Sequence, residues 1–539
     1  MHRVALATSA LLFTCAVTAL LASAGAQNSS TAVPSDIRAV FNKPQYKNAV
    51  WGLRVLDGDK VLLDLNPQRK FYIGSVRKVF SVGQLLNDAG PDRTFDTPVY
   101  RTGTVDRNGV LHGNLILVAS GDLTMGGRSN PDGSIAVSNW DHNEADSLGN
   151  AILTKPDPLA GYARLARAVR SAGINRVAGN VVIDDRLFKP FFFRDQFYVR
   201  PIFVNDDVVD VSIDPRGAPG SLARMTTRPL SSALRVDNRL RIAAANTKSS
   251  VKIDPQLPGC IGKRGCTSTI AGTLPNGYKP PLTGTPMLVQ TVRIVQPSNY
   301  ARTVFIEQLG KAGVTVAAPA VQDNPVTLLP KQGAYRKADK VAELTGMRYG
   351  QDAKLVLKIS YNIGADTSLV LLGVRHHANS MPGALAFERE DLQQHWGIAP
   401  GQYHFVDGSG GGETSATNGA VTKMLGELAM SPASQAFVSA LPILGVDGSL
   451  AFVKNFEADR SLAGAAGNVR AKTGTYVDAT PAGTPLLKAQ ALGGYITTKR
   501  GHHLTFQLVV NNVPINGVPD ITNVFQDEGT ITAMLWRDY

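Results

Sequence analysis

Cysteine is almost missing from this chain: there are three among 539 residues, and Cys15 falls within an N-terminal apolar run. The other two, Cys260 and Cys266, close the stretch Pro258-Gly259-Cys260-Ile261-Gly262-Lys263-Arg264-Gly265-Cys266, with no further metal-ligating residues nearby. No metal centre or organic cofactor is expected, and in an exported chain such a pair closes a small loop as a disulfide. No later apolar run reaches membrane-spanning length, so no stable transmembrane anchor is expected. No basic cluster is interleaved with aromatics, which argues against nucleic acid as a partner. There is no internal repeat. With 43% hydrophobic and 18% charged residues the chain is neither a disordered tail nor a fibre, and its length suits two to four domains. A formal charge of +12 would draw anionic polymers or peptide carboxylates, although spread over a chain of this size it reads first as a solvated surface.

The N-terminus has the pattern of a processing segment. His2 and Arg3 precede the mostly apolar Val4 to Leu21, and Ala24-Gly25-Ala26 fits a small-residue cleavage site. Residues 1–26 are therefore read as a signal peptide, with the mature chain starting near Gln27 and the protein exported. An uncleaved membrane anchor is the alternative.

The stretch with most chemical content is Phe71-Tyr72-Ile73-Gly74-Ser75-Val76-Arg77-Lys78-Val79-Phe80. Val76, Val79, Phe80, Leu85 and Leu86 recur at helical spacing, and Gly90-Pro91 supplies a stop. Residues three apart share a helix face, so Ser75 and Lys78 point into one small volume. A serine hydroxyl attacks only if something takes its proton, and a lysine does so only as the neutral amine. That requires lowering a pKa of about 10.4 to about 7, by burial or by a second cation. Alone the pattern says little: it recurs at Ser249 to Lys252 in a polar turn, and Ser75 by itself could simply open a helix.

Ala49 to Leu56 and Val61 to Leu65 form a predicted hairpin around Asp57-Gly58-Asp59-Lys60, leading into the Ser75 helix. From 98 to 340 the sequence turns to short alternating runs, including Val110 to Gly113, Asn114 to Ser120 and Gly179 to Asp184, and becomes rich in Pro, Gly, Thr and basic residues between Pro215 and Pro297. This is read as an inserted β-rich region of two nested domains, with Gly126 to Gly149 as a polar surface loop. Helical patterning returns at Tyr300 to Gly313, Lys354 to Ser360, Thr367 to His376 and Ala420 to Met430. Asp407 to Gly412 reads as a flexible turn. Ala491 to Thr498 and Leu504 to Val510 form a second predicted hairpin, and Thr530 to Trp536 a closing helix.

Two further motifs follow Ser75 and Lys78 in chain order: Ser360-Tyr361-Asn362 and Lys472-Thr473-Gly474-Thr475. Singly, the first is a helix cap and the second a strand-end turn. Together they are complementary. Lys472 would be the second cation that depresses the Lys78 pKa and attracts a substrate carboxylate, and Ser360 would relay a proton to a leaving amine. Asn362 would hold a substrate amide, and the backbone N–H groups of Ser75 and Thr475 would form an oxyanion hole.

The order Ser-x-x-Lys, Ser-x-Asn, Lys-Thr-Gly is that of the penicillin-binding protein and serine β-lactamase superfamily. More specifically, the chain resembles the D-alanyl-D-alanine carboxypeptidase/endopeptidase family, the penicillin-binding protein 4 type of low-molecular-mass class C. The resemblance adds Gly113-Asn114-Leu115 with Ser120-Gly121-Asp122, Gly179 to Asp184, Asp407-Gly408-Ser409-Gly410 and Gly445-Val446-Asp447-Gly448. Ser360 lies 285 positions after Ser75, as in a catalytic domain split by a large insertion. The resemblance implies an α/β (α+β) transpeptidase/β-lactamase-like domain, an antiparallel sheet flanked by helices, from residues 27–97 and 341–539, with 98–340 inserted. It implies Ser75 as acylated nucleophile, Lys78 as base, Ser360 as proton relay, and Asn362, Lys472, Thr473, Gly474, Thr475 and, in the insertion, Asp184 as substrate-binding residues. The partners it implies are peptidoglycan stem peptides and β-lactams, and the location is periplasmic. Two departures stand out: Tyr361 replaces a small polar residue, and Gly74 stands where alanine is common. A β-lactamase or esterase on the same scaffold remains open, though no Glu-x-x-Leu-Asn pattern is present, as does a non-catalytic wall-binding relative.

Overall fold

The computed structural model describes residues 33–539, so the signal peptide reading lies outside the described residues. Both predicted hairpins are present, and they meet. The strands run, in spatial order, Lys60–Leu65, Val50–Asp57, His503–Asn511, Pro485–Thr497 and Val469–Ala479, all antiparallel, with Val513–Pro514 pairing a second stretch of Pro485–Thr497. The beginning and the end of the chain thus share one sheet.

Side chains alternate across a strand, and here both faces are covered. Leu492, Leu508 and Val510 bury against Ile37 and the closing helix Val518–Asp538, through Val524, Ile531 and Leu535. Their neighbours Ala491 and Val509 face the other way, into a core with Val76, Val79, Phe80, Val421 and Met424. Full burial of a side chain the size of leucine contributes about 1.5–3 kcal/mol. The helix Lys78–Ala89 lies in this second core with every residue from Lys78 to Leu86 buried, and ends at Gly90, whose φ of +83° suits glycine. It packs on the helices Tyr349–Lys358, Asn362–Arg375 and Asn418–Met430.

The fold is therefore α/β with a helix-flanked antiparallel sheet, split by a β-rich insertion. Thr97–Arg101 pairs with Lys340–Leu344, so the chain leaves and re-enters at one place. Those strands continue through Leu115–Val118 to Val181–Asp184, and further out Val208–Asp214 is flanked by Arg224–Arg228 and Leu288–Arg293. Cys260 and Cys266 form the expected disulfide, with Cα atoms 5.3 Å apart. No helix among the described residues is long and apolar enough to cross a membrane.

The Gly126 to Gly149 segment is not a surface loop. Arg128, Asp141 and His142 are buried and belong to an ion cluster with Asp206 and Asp210. Asp141, His142 and Asp206 approach one another as metal ligands would, but Arg128 donates to both carboxylates, and both imidazole nitrogens face carboxylates, Nδ1 with Asp210 at 2.7 Å and Nε2 with Asp206 at 2.9 Å. Burial opposes a charge on His142, yet Asp210 and then Asp141 hold its pKa up to about 10. The cations are the protein's own. Buried charges persist only when paired, which is why so polar a segment lies inside.

Candidate active site

Ser75 sits in the short 3-10 turn Gly74–Arg77 that opens the helix Lys78–Ala89. Lys78 is fully buried, and its Nζ lies 2.6 Å from Ser75 Oγ, 2.7 Å from Asn362 Oδ1 and 2.8 Å from the carbonyl of Ser409. A neutral amine has two N–H donors and one lone pair. Asn362 and Ser409 accept the two donors, which leaves the lone pair for the Ser75 O–H. Burial, and then the charge of Arg194, push the Lys78 pKa down to about 7, against Asp366, Asp407 and Glu144. Arg194 is thus a cation acting on Lys78 that the sequence reading did not name. Lys472 is coupled to Lys78 all the same: burial, then Lys78, lower its own pKa well below the usual range.

Ser360 stands, as expected, at the end of a helix: it follows the C-cap of Tyr349–Lys358, in the turn before Asn362–Arg375, with φ of +62°, a conformation that costs a non-glycine residue about 1–3 kcal/mol and that surrounding contacts must enforce. Those contacts flank it. Buried Lys358 donates to both carboxylate oxygens of Asp447, at 2.6 and 2.7 Å, and to the Leu441 carbonyl. Tyr361, 1% exposed, points its hydroxyl toward the Asp206 carbonyl of the insertion at 3.5 Å. Its departure from a small residue therefore ties the motif to the inserted region. Asn362 opens the next helix, and its Nδ2 donates to Glu144 at 3.4 Å.

Lys472, also fully buried, donates to Ser360 Oγ at 2.9 Å and to the Thr473 carbonyl at 2.8 Å. Thr473 Oγ1 is 2.7 Å from Ser449 Oγ. The strand Val469–Ala479 ends the sheet order, so its outer edge is free to face Ser75. Two glycines allow that approach. A Cβ on Gly474 would stand 2.0 Å from the Ile73 carbonyl oxygen, and one on Gly74, whose φ is +48°, would stand 2.8 Å from the Thr475 nitrogen. The glycine before Ser75 is thereby explained.

Ser75, Lys78, Ser360, Asn362 and Lys472 to Thr475 are thus brought to one place. Asp184 is not among their partners. Its oxygens accept from Arg186 at 2.7 and 2.8 Å and from the Tyr335 hydroxyl at 2.5 Å, all inside the insertion. Asp407 to Gly412 is pinned rather than flexible: the Asp407 carboxylate accepts from the backbone N–H groups of Ser409, Gly410 and Gly411, which aims the Ser409 carbonyl at Lys78. Beneath it the carboxyl of Asp366 is pushed up to about 8 by burial and by Asp407.

Sequence reasoning missed Arg194 and Glu144. Arg194 occupies the tip of the hairpin Phe191–Phe193/Phe197–Val199, where it and Asp195 have positive φ. The triple phenylalanine before a polar pair signals a hairpin, but nothing in it signals an effect on Lys78. Arg194 lines both a cavity of about 530 Å³ bounded by Asp366 and Asp407 and one of about 300 Å³ bounded by Glu144, Arg293, Tyr361 and Asn362.

Among solved structures, the chain is similar to penicillin-binding protein 4 from Haemophilus influenzae, at 17% identity and a TM-score of 0.68, covering 93% of this chain and 99% of that one. The same protein complexed with a novel β-lactam aligns at 18% identity and a TM-score of 0.64, over the same shares of both chains. At these identities the likeness establishes the fold. No curated protein sequence matches the chain. The sequence pattern of the D-Ala-D-Ala carboxypeptidase 3 (S13) family matches residues 33–527. With nearly the whole chain matched and a serine held against a buried lysine, the protein belongs to the D-Ala-D-Ala carboxypeptidase 3 (S13) family and is a peptidase of that class.

Proposed function

We propose that this is an exported, periplasmic serine DD-peptidase that cleaves the D-Ala-D-Ala bond of peptidoglycan stem peptides, and D-alanyl cross-links, through an acyl-Ser75 intermediate. The observation that carries the reading is the buried Lys78 amine 2.6 Å from Ser75 Oγ, with its pKa near 7 and its donors already engaged. Ser75 Oγ attacks the penultimate carbonyl as its proton passes to Lys78. The N–H groups of Ser75 and Thr475 receive the developing oxyanion, an arrangement in which one donor is typically worth about 100- to 1000-fold in rate. Ser360, held by Lys472, passes a proton to the departing amine, and that lysine with the Thr473 and Thr475 hydroxyls receives the terminal carboxylate. Asn362 orients the peptide amide. Water then releases the acyl group. We read the catalytic part as residues 27–97 and 341–539, and 98–340 as two nested domains.

β-Lactams acylate the same serine in this reading. Labelled penicillin is expected to appear by mass spectrometry on the tryptic peptide containing Ser75 and to be lost in Ser75→Ala. A label on another residue, or none, would overturn the proposal. An adduct that persists for many peptide turnovers separates this peptidase from a β-lactamase, which would release it quickly.

Arg194 gives a second prediction. Its positive charge favours the neutral amine, so Arg194→Gln raises the Lys78 pKa and moves the acid limb of the acylation rate to higher pH. At pH 7 the rate is expected to fall about two- to five-fold and to recover by pH 9, as read from stopped-flow acylation between pH 5.5 and 9.5.

A further inference from the structure

The chain's positive charge is concentrated. Between 215 and 297 there are twelve Lys and Arg against two Asp, a surplus of ten in a chain whose formal net charge is +12. The distribution in space is more telling. Arg235–Asn238 and Arg241–Ala243 run alongside Thr267–Ala271 and Thr273–Pro275 in parallel register, linked by the backbone bonds from Arg239 to Ile270 and from Arg241 to Gly272. Successive residues in such strands face opposite sides. Val236, Leu240, Ile242, Ile270 and Leu274 point inward and are buried. Arg235, Arg239 and Arg241 therefore share the outer face, and Lys252, registered opposite Ala271, extends it onto a third strand. All four are exposed.

Alternate residues in a strand stand about 7 Å apart and Arg235 and Arg241 about 20 Å apart. Cations so spaced do not converge on one compact anion; they match anionic groups repeated along a polymer. Asp237 pairs with Arg239 at 3.2 Å and touches Arg235 at 4.0 Å, whereas Arg241 and Lys252 form no ion pair among the described residues. The face also leads to the cleft. Lys252 is four residues before Gln256, which with Leu257 lines the cavity bounded by Asn362, so no more than about 14 Å of chain separates them.

We propose that the face formed by Arg235, Arg239, Arg241 and Lys252 is a docking surface for the carboxylate-bearing wall polymer whose stem peptides enter the cleft. While one stem peptide occupies the site, carboxylates on neighbouring stems lie along the arginines. The inference rests on the proposed DD-peptidase reading. Nucleic acid fits less well, since base stacking needs aromatic platforms that this face lacks.

The test uses the full mature chain and insoluble peptidoglycan. The sedimented fraction is expected to fall when salt rises from about 50 to about 300 mM, because screening shortens the reach of exposed charges. Arg235→Gln/Arg239→Gln/Arg241→Gln/Lys252→Gln is expected to bind at least about ten-fold more weakly, with acylation by labelled penicillin and hydrolysis of a soluble pentapeptide unchanged within about two-fold. Amidating the polymer's carboxylates should weaken the native chain to the same extent, an arm that needs no variant to fold. Equal binding by native and variant, indifference to amidation, or binding of the native chain to phosphatidylglycerol vesicles but not to the wall polymer would each overturn the proposal. If the native chain took no penicillin label, the DD-peptidase reading would fail instead, whatever the sedimentation showed.

Discussion

Lys78→Met is expected to reduce acylation of Ser75 by roughly a thousand- to ten-thousand-fold, the upper range for loss of a positioned general base. Methionine keeps the bulk of the side chain and removes only the amine, so the serine retains its place against Gly474 and Thr475. The native acylation rate should rise with pH through about 7 and level off, because only the neutral amine takes the proton. The variant's small residual rate should lose that limb. Stability gives an independent readout. Lowering a pKa from 10.5 to about 7 corresponds to about 5 kcal/mol at 1.36 kcal/mol per unit. The folded value lies below the unfolded one, so between pH 7 and 10.5 the unfolded chain holds more protons and folding stability rises with pH across that window. From pH 7 to 9 the native protein should gain about 2–3 kcal/mol relative to Lys78→Met, measured by denaturant unfolding at both pH values. Equal pH dependence in the two proteins would mean that Lys78 is not the buried, perturbed base. The substitution also leaves Asn362 Oδ1 and the Ser409 carbonyl without the donor they now share, a cost of about 1–3 kcal/mol each that offsets the relief of burying no amine.

Gly474→Ala should be nearly as damaging although it removes no functional group. Its Cβ would lie 2.0 Å from the Ile73 carbonyl oxygen and 3.0 Å from the Val76 nitrogen, both backbone atoms on the turn that presents Ser75. Neither can rotate away, so strand and turn must separate by an ångström or more. Displacement of that order costs about 100-fold when reacting groups are otherwise intact. Acylation is expected to fall at least about 100-fold with the acid limb still near pH 7, because the burial and the Arg194 charge that lower the Lys78 pKa do not lie on this strand. A limb displaced by a full unit would show that the strand acts through the lysine rather than through its edge N–H groups.

The three motifs were legible because each is local: a serine and lysine one helical turn apart, a Ser-x-Asn step and a Lys-Thr-Gly step need only neighbouring residues to be recognised. The hairpins were legible for a related reason, since alternation and turn residues are read over a few positions. The Asp407 turn failed for the opposite reason. Glycines and a serine look flexible until a carboxylate gathers their N–H groups. The segment after Gly126 failed likewise, because Arg128 and His142 are polar in sequence but neutralised by Asp206 and Asp210, some 64 to 78 positions later. Asp184 looked available only because the Tyr335 hydroxyl that takes one of its oxygens comes 151 positions after it.

The sequence by itself determined which candidate groups could react and much of the strand and helix pattern that carries them, since these follow from residue type and short-range period. Tertiary structure alone decided that the segment between the first and second motifs bears on the site: Glu144 accepts from Asn362, and the charge of Arg194 acts on Lys78 through space. Charge acts through space and burial depends on what packs above, so no local pattern could have assigned the lysine its pKa.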